Sequence, residues 1–281
     1  MDSARSIPRS RFGFTLVELL VVIGLVVVLL GLVFMVGGKV RKQAREVTER
    51  NAARQSLIAW NSYAFDHNGD LLPGYRSGLE AMTPDGQPIS AATIGVAGNR
   101  YPWRLAPYLG YNFDILYVNE QNEYLEDLRV NDYSSYVYTV ATFPSLGINA
   151  TWMGGDEIDG CFNPALTNLL GNFYSSSLSQ IRHPERLTVF ASARGDSQPN
   201  GGGDSIEGYF KIASPAFSSR RWEDQYDPED TTSFGNLSAR WDGRSVIGRV
   251  DGSVDALPIE ELDDMRLWAD RADSKDWKLA P

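Results

Sequence analysis

A single carboxylate, Glu18, lies inside an otherwise apolar run that extends from Phe14 to Gly38. A charged residue in a bilayer-spanning helix costs about 2.5 to 3.5 kcal/mol at mid-membrane, and less near the end of the span. One interpretation is that the Glu18 carboxylate reaches the membrane interface; the other is that it pairs with a positive charge at the same depth. The run contains no Lys or Arg that could supply this charge. A new N-terminal ammonium, formed by cleavage just before the run, would supply it.

Other residues capable of catalysis are few. The chain has two histidines, His67 and His183, and one cysteine, Cys161. The sequence contains neither Gly-x-Ser-x-Gly nor His-Glu-x-x-His, and the glycine run at 201–203 is not followed by the lysine of a phosphate-binding loop. We therefore expect no enzymatic activity, and a membrane-anchored enzyme is the least favoured function.

The charge balance and the acidic loops limit the ligands. With 36 acidic and 26 basic residues the formal net charge is −10, so we predict no nucleic-acid partner. No cofactor is predicted from any motif. Calcium is possible at four loop carboxylates, although no spacing defines a ligand set. These carboxylates belong to Asp156, Asp159, Asp196 and Asp204.

The apolar run predicts a membrane anchor. Residues 14–38 number about 25, and roughly 20 apolar residues span a bilayer as a helix. Arg5, Arg9 and Arg11 precede the run and favour a cytoplasmic N-terminus. The sequence thus divides into a leader at 1–13, a transmembrane helix at 14–38 and a soluble domain at 39–281.

The sequence of the soluble part predicts a helix that is followed by a sheet. The N-terminal helix continues to about residue 67, because apolar residues recur roughly at helical spacing. A short helix is expected at 103–109, strands at 115–118, 136–142 and 187–193, and a helix from Pro258. Asp251-Gly252 between two strand-like runs predicts a β-hairpin with a two-residue turn. The apolar positions of the N-terminal helix are Val40, Ala44, Val47, Leu57, Ile58, Ala64 and Phe65.

The stretch Gly13-Phe14-Thr15-Leu16-Val17-Glu18 resembles the processing site of type IV pilins and type II secretion pseudopilins. The resemblance implies that prepilin peptidase cuts after Gly13 on the cytoplasmic side and that the same enzyme methylates Phe14. Glycine fits such a site, because it lets an extended backbone approach closely. Glu18 would then offset the terminal charge of a neighbouring subunit and act as an assembly residue.

The tail resembles a second signature of pilin-like chains, in which a histidine is followed by nine residues and then Asp-Gly. Asp251 and Gly252 match this signature, whereas Trp241 occupies the position of the histidine. The departure leaves the role of that first position open. The hairpin turn itself requires only Asp251 and Gly252.

Together the two resemblances imply an α+β, pilin-like fold, with a long helix packed on an antiparallel sheet that carries large loop insertions. They imply a structural subunit of a homo- or hetero-polymeric filament of other pilin-like subunits. Its partners would be prepilin peptidase, the lipid bilayer and an inner-membrane assembly platform. The protein would cross the bacterial inner membrane once, with its soluble domain periplasmic or extracellular. A minor, tip-located pilin that binds a ligand through the loops at 144–159 and 194–204 is the alternative. Pilus, secretion pseudopilus and DNA-uptake fibre all remain open.

Overall fold

The computed structural model of the protein describes residues 15–118, 122–195 and 207–280. The chain divides into two compact units, Met1–Ala44 and Arg45–Pro281, which are described separately. The fold is α+β and consistent with the pilin-like class. Its helices are α1 (Leu16–Asp66), α2 (Ala91–Ile94), α3 (Tyr101–Leu105), α4 (Asn122–Asn131), α5 (Tyr133–Thr142) and α6 (Pro164–Leu170). Its strands are β1 (Ala81–Met82), β2 (Pro88–Ile89), β3 (Leu146–Ile148), β4 (Thr188–Ser192), β5 (Arg244–Arg249) and β6 (Val254–Pro258).

In the first unit, the structure describes the N-terminal part of α1. The large apolar side chains that are resolved between Leu16 and Leu30 are 46 to 80 % exposed. Among the described residues, no helix is both long enough and apolar enough to span a membrane.

In the second unit, the C-terminal part of α1 buries one face. Ala53, Leu57, Trp60 and Ala64 recur every three or four residues and are nearly inaccessible to solvent. The helix extends to Asp66, as the spacing of the apolar residues predicts; of those residues, Leu57 and Ala64 are buried and the others are exposed. The sheet approaches this face closely, because a Cβ added to Gly248 would lie 2.9 Å from Leu57 Cδ1. The exposed positions are Val40, Ala44, Val47, Ile58 and Phe65.

α1 ends at Asp66, next to the predicted end at about residue 67, and a turn with left-handed backbone follows it. Asn68 and Gly69 have φ values of 56° and 91°, and Gly69 N donates to Ala64 O at 2.7 Å. This hydrogen bond satisfies a carbonyl group in the last turn of the helix, as a C-cap does.

The main sheet has four antiparallel strands in the order β3-β4-β5-β6. Successive residues of β5 face two different cores: Val246 packs in the core that includes α1, and Ile247 packs with Trp268 and Leu262 on the other side. Both the strand predicted at 187–193 and the two strands of the hairpin are confirmed.

Two predicted strands are wrong. Residues 113–116 form a 3-10 helix, and 133–142 form α5. Asp132 caps α5 by accepting from Ser135 N at 3.1 Å, and the buried residues Val137, Val140 and Ala141 follow helical spacing. The β-branched and aromatic residues therefore pack along a helix, because tertiary contacts override a weak strand propensity.

The predicted C-terminal helix is also absent from the described residues. Two short 3-10 helices, Ile259–Leu262 and Met265–Leu267, replace it. Met265 N donates to Lys275 O at 2.9 Å, so the chain folds back on itself instead of continuing a helical ladder.

Candidate functional site

The first candidate site is the N-terminus of α1, where Thr15 and Glu18 bond to each other. Thr15 N donates to Glu18 Oε2 at 2.8 Å, and Glu18 N donates to Thr15 Oγ1 at 3.2 Å. The Thr15 hydroxyl also donates to Glu18 Oε2 at 2.9 Å. This reciprocal pattern is a capping box, which satisfies backbone N–H groups that a helix start leaves unpaired. The predicted processing residues, Gly13 and Phe14, lie outside the described residues.

The Glu18 carboxylate thus accepts from two donors of one residue in its own chain, Thr15. The Thr-x-x-Glu spacing is a sequence signal for a helix start, and it could have been read from the sequence. It was missed because Glu18 was considered only as a charge.

The second candidate site is a buried carboxylate that joins α1 to the sheet. Glu49 is fully buried; its Oε1 accepts from the Ser192 hydroxyl on β4, and its Oε2 accepts from Trp241 Nε1 at 3.0 Å. Arg240 Nη1 lies 3.6 Å from the same Oε2. Burial raises the pKa of Glu49, and Arg240, Ser192 and Trp241 oppose this rise. We call these four residues the Glu49 cluster.

The cluster gives Trp241 a definite role at the first position of the tail signature. A histidine and a tryptophan share one capability, a ring N–H that donates a hydrogen bond. In this chain the indole N–H supplies that donor to α1. Trp241 therefore offers a ring N–H at the position where the tail signature has a histidine.

Asp251 and Gly252 lie in the connection between β5 and β6. Gly252 has a φ of 87°, its N donates to Arg249 O at 3.0 Å, and Asp251 Oδ1 accepts from Ser253 N at 2.9 Å. Asp251 is not among the residues with positive φ, which a two-residue type I′ turn would require at both positions. Arg249 N donates to Ser253 O at 2.9 Å, so the loop between these two hydrogen-bonded residues has three residues, Val250 to Gly252, and glycine takes the left-handed position.

The comparisons with known proteins address the N-terminus. Residues 8–34 match the family model described as the prokaryotic N-terminal methylation motif. The chain carries a prepilin-type N-terminus. This match supports a type IV pilin-like or pseudopilin family, and it includes Gly13, Phe14 and Glu18. No curated protein and no solved structure matches the chain.

The remaining residues considered for chemistry have structural contacts in this prepilin-type chain. The His67 ring stacks on Tyr63 with centroids 3.9 Å apart, and its Nδ1 lies 2.7 Å from Tyr63 O. Burial raises the pKa of the Cys161 thiol to about 12, so the thiol is unreactive at neutral pH. His183 Nδ1 lies 3.6 Å from Glu185 Oε1 at the surface.

Two of the four carboxylates considered for calcium surround a lysine. Lys211 Nζ lies 2.7 Å from Asp159 Oδ2 and 3.2 Å from Asp156 Oδ2. Asp196 and Asp204 lie outside the described residues. Among the described residues, no group of three or more His, Cys, Asp or Glu side chains could hold a metal ion.

We expect the melting temperature of the full chain to be the same in millimolar calcium and in chelator. The lysine nitrogen already occupies the space between Asp156 and Asp159, and a calcium ion would have to displace it. Differential scanning fluorimetry of the detergent-purified chain measures this. A calcium-dependent rise in melting temperature would contradict the expectation. The control is Lys211→Ala, which empties the space between Asp156 and Asp159.

Proposed function

We propose that the protein is a structural subunit of a type IV pilus-like or type II secretion pseudopilus filament. The observation that carries this proposal is the match of residues 8–34 to the methylation motif. Prepilin peptidase would cut between Gly13 and Phe14 and methylate the new terminus at Phe14. The protein is then a substrate of catalysis and not itself an enzyme.

The apolar segment supports storage in the membrane before assembly. Residues 14–38 would anchor the precursor as one span of the inner membrane, with Arg5, Arg9 and Arg11 on the cytoplasmic side. The large apolar side chains of Leu16 to Leu30 are exposed within their own chain. A lipid bilayer covers such a surface in the precursor, and neighbouring helices would cover it in a filament.

A second apolar surface supports contact with other subunits. Val47, Ile58 and Phe65 are 56, 66 and 84 % exposed. They are separated by about three and about two helical turns, so they lie on one side of α1, away from its buried face. We propose that this side packs against another pilin-like subunit, with the inner-membrane assembly platform bringing the two together.

Processing is the first test. We expect the chain to lose residues 1–13 and to begin with N-methylated Phe14 when it is expressed with an active prepilin peptidase. Intact-mass and N-terminal peptide mass spectrometry of the membrane fraction measure both changes.

The matched control is expression with a catalytically inactive peptidase, which should leave the Met1 form. A chain that keeps Met1 beside an active peptidase, or that starts at another residue, would disprove the proposal. Gly13→Val provides a second check, because a β-branched side chain at the cut site should block cleavage while leaving the span intact.

A cleft in the second unit favours a second candidate, a tip-located pilin that binds a small polar ligand. Its volume is about 410 Å³, and aromatic side chains lie beside charged ones, including Phe173, Tyr174, Arg182 and Arg271. Three aromatic residues and six polar or charged residues line the cleft, and this lining suits a polar ligand. Gold labelling of filaments distinguishes the candidates: label along the whole filament supports a major subunit, and label only at the end supports the tip.

A further inference from the structure

A largely buried lysine lies between two carboxyl groups in the second unit, apart from the Glu49 cluster. Lys211 Nζ is 2.7 Å from Asp159 Oδ2 and 3.2 Å from Asp156 Oδ2. The Asp156 side chain is completely buried, and those of Lys211 and Asp159 are 14 and 13 % exposed. Arg221 Nη2 lies 3.6 Å from Asp159 Oδ1.

The two oxygens of Asp156 have different surroundings. Its Oδ1 accepts from the backbone N–H groups of Ile158 at 2.7 Å and Asp159 at 3.2 Å. Its Oδ2 accepts no hydrogen bond from the described residues, although Lys211 Nζ is close. Two backbone donors on one oxygen can stabilise negative charge that develops there when a nucleophile adds to the carboxyl carbon.

The two carboxyl groups also differ in their affinity for protons. Burial raises the pKa of Asp156 and outweighs the nearby Lys211. Burial acts in the same direction on Asp159, but Lys211, Thr151 and Arg221 together hold the pKa of Asp159 below its ordinary value. Asp156 is therefore the more readily protonated of the two and the better electrophile, whereas Asp159 remains a carboxylate that can accept a proton.

Two physical effects favour condensation at this position. Groups held in contact react with effective molarities of about 10⁵ to 10⁸ M when the geometry is right. Burying an ammonium and a carboxylate is costly, and an amide carries neither charge. Exclusion of water from the completely buried Asp156 also protects the amide from hydrolysis.

We propose that Lys211 and Asp156 form an intramolecular isopeptide bond. The Asp159 carboxylate takes a proton from the Lys211 ammonium, and the free amine adds to Cγ of the neutral Asp156 carboxyl group. The new bond joins Nζ to Cγ, and the bond from Cγ to Oδ2 breaks. Asp159 then returns a proton to the hydroxyl group that contains Oδ2, and Oδ2 leaves as water. The nitrogen loses its surplus proton to Asp159, which passes it to solvent.

The bond would tie the loop that carries Asp156 to the segment that bridges β3. Ile148 and Lys211 are parallel bridge partners, and Asp156 forms a bridge with Tyr75. A covalent link between these segments restricts the unfolded chain and resists extension. Resistance to extension suits a subunit of a filament under tension, but the bond itself does not depend on the proposed function.

The full chain purified in detergent tests the proposal by mass spectrometry. We expect an intact mass one water molecule below that of the sequence. We also expect a cross-linked tryptic product that joins the peptide ending at Arg182 to the peptide ending at Arg220, uncut after Lys211. Fragmentation should place the link on Asp156.

Lys211→Arg is the matched control, because it keeps the positive charge but has no primary amine. It should show the full mass with the same circular dichroism spectrum as the wild type. Asp159→Ala should also show the full mass, since it removes the proton acceptor but neither bonded residue.

Three results would overturn the proposal. The first is a wild-type chain of full mass. The second is a water loss that persists in Lys211→Arg, which assigns the loss to succinimide formation at an Asp-Gly pair such as Asp159-Gly160. The third is a link that maps to a residue other than Asp156.

Discussion

Glu49→Ala is expected to lower the free energy of unfolding by about 3 to 5 kcal/mol, the usual cost of removing one member of a buried charge pair. The variant removes the nearer and more deeply buried of two carboxylates beside the 5 % exposed Arg240 side chain, whose Nη1 also lies 4.0 Å from Glu207 Oε2. It also leaves Trp241 Nε1 and the Ser192 hydroxyl without the acceptor they share in the wild type. Equilibrium urea unfolding of the full chain in detergent measures the change, with tryptophan fluorescence as the signal.

Glu126→Ala is the matched control, because it makes the same change in an exposed ion pair. Glu126 and Arg129 are 58 and 57 % exposed, and such surface pairs contribute about 0 to 1 kcal/mol. If Glu49→Ala and Glu126→Ala cost the same, Glu49 is not the structural link between α1 and the sheet.

Two substitutions of Trp241 separate the contribution of its hydrogen bond from that of its ring packing in the Glu49 cluster. Trp241→Phe keeps an aromatic ring but leaves Glu49 without its indole donor, and an unsatisfied buried acceptor costs about 1 to 3 kcal/mol. Trp241→His restores a ring N–H at the position where the tail signature has histidine. We expect the His variant to be more stable than the Phe variant, and the reverse order would show that ring volume alone matters here.

Glu18→Ala is expected to be processed normally and yet to enter filaments about a hundred to a few thousand times less often than the wild type. In the proposed filament Glu18 offsets the terminal ammonium of a neighbouring subunit. Removing one partner of such a buried pair costs about 3 to 5 kcal/mol, and each 1.4 kcal/mol is about tenfold in an equilibrium. Quantitative mass spectrometry of sheared filaments and of the membrane fraction measures the ratio.

The capping box provides two controls that separate charge from helix capping. Glu18→Gln retains an oxygen for Thr15 N and the Thr-x-x-Gln pattern but has no charge. Thr15→Ala removes the side-chain cap, at a typical cost of about 1 kcal/mol, and keeps the charge. If charge pairing drives assembly, Glu18→Gln fails and Thr15→Ala assembles. Normal assembly of Glu18→Gln would contradict the charge hypothesis and assign Glu18 to capping alone.

Local patterns predicted the elements whose signals are local. The helix α1 depends on apolar residues at helical spacing and the strand β4 on a short apolar run, and both are confirmed. α5 was predicted as a strand, because its residue types suit either structure and only its packing decides between them. The hairpin was located correctly, but its loop length depends on backbone dihedrals at Asp251 and Gly252 that the residue pair alone does not determine.

The tail signature also combines a feature that the sequence reveals with one that only the fold explains. Its Asp-Gly pair could be recognised at once, whereas the departure at Trp241 had no interpretation in the sequence. Glu49 is distant from Trp241 in the chain and was never singled out, since a lone glutamate on a polar stretch of helix gives no signal. Only the fold shows that the departing residue still donates a hydrogen bond.

By itself the sequence determined the prepilin-type N-terminus and the long apolar segment that follows it. Both are contiguous in the chain, so they can be recognised without knowledge of a folded domain. The tertiary structure alone decided which side of α1 is buried, which donors satisfy Glu49, and that Lys211 lies between Asp156 and Asp159. These features join residues that are far apart in the chain, and their chemistry depends on burial and on distances of a few ångströms.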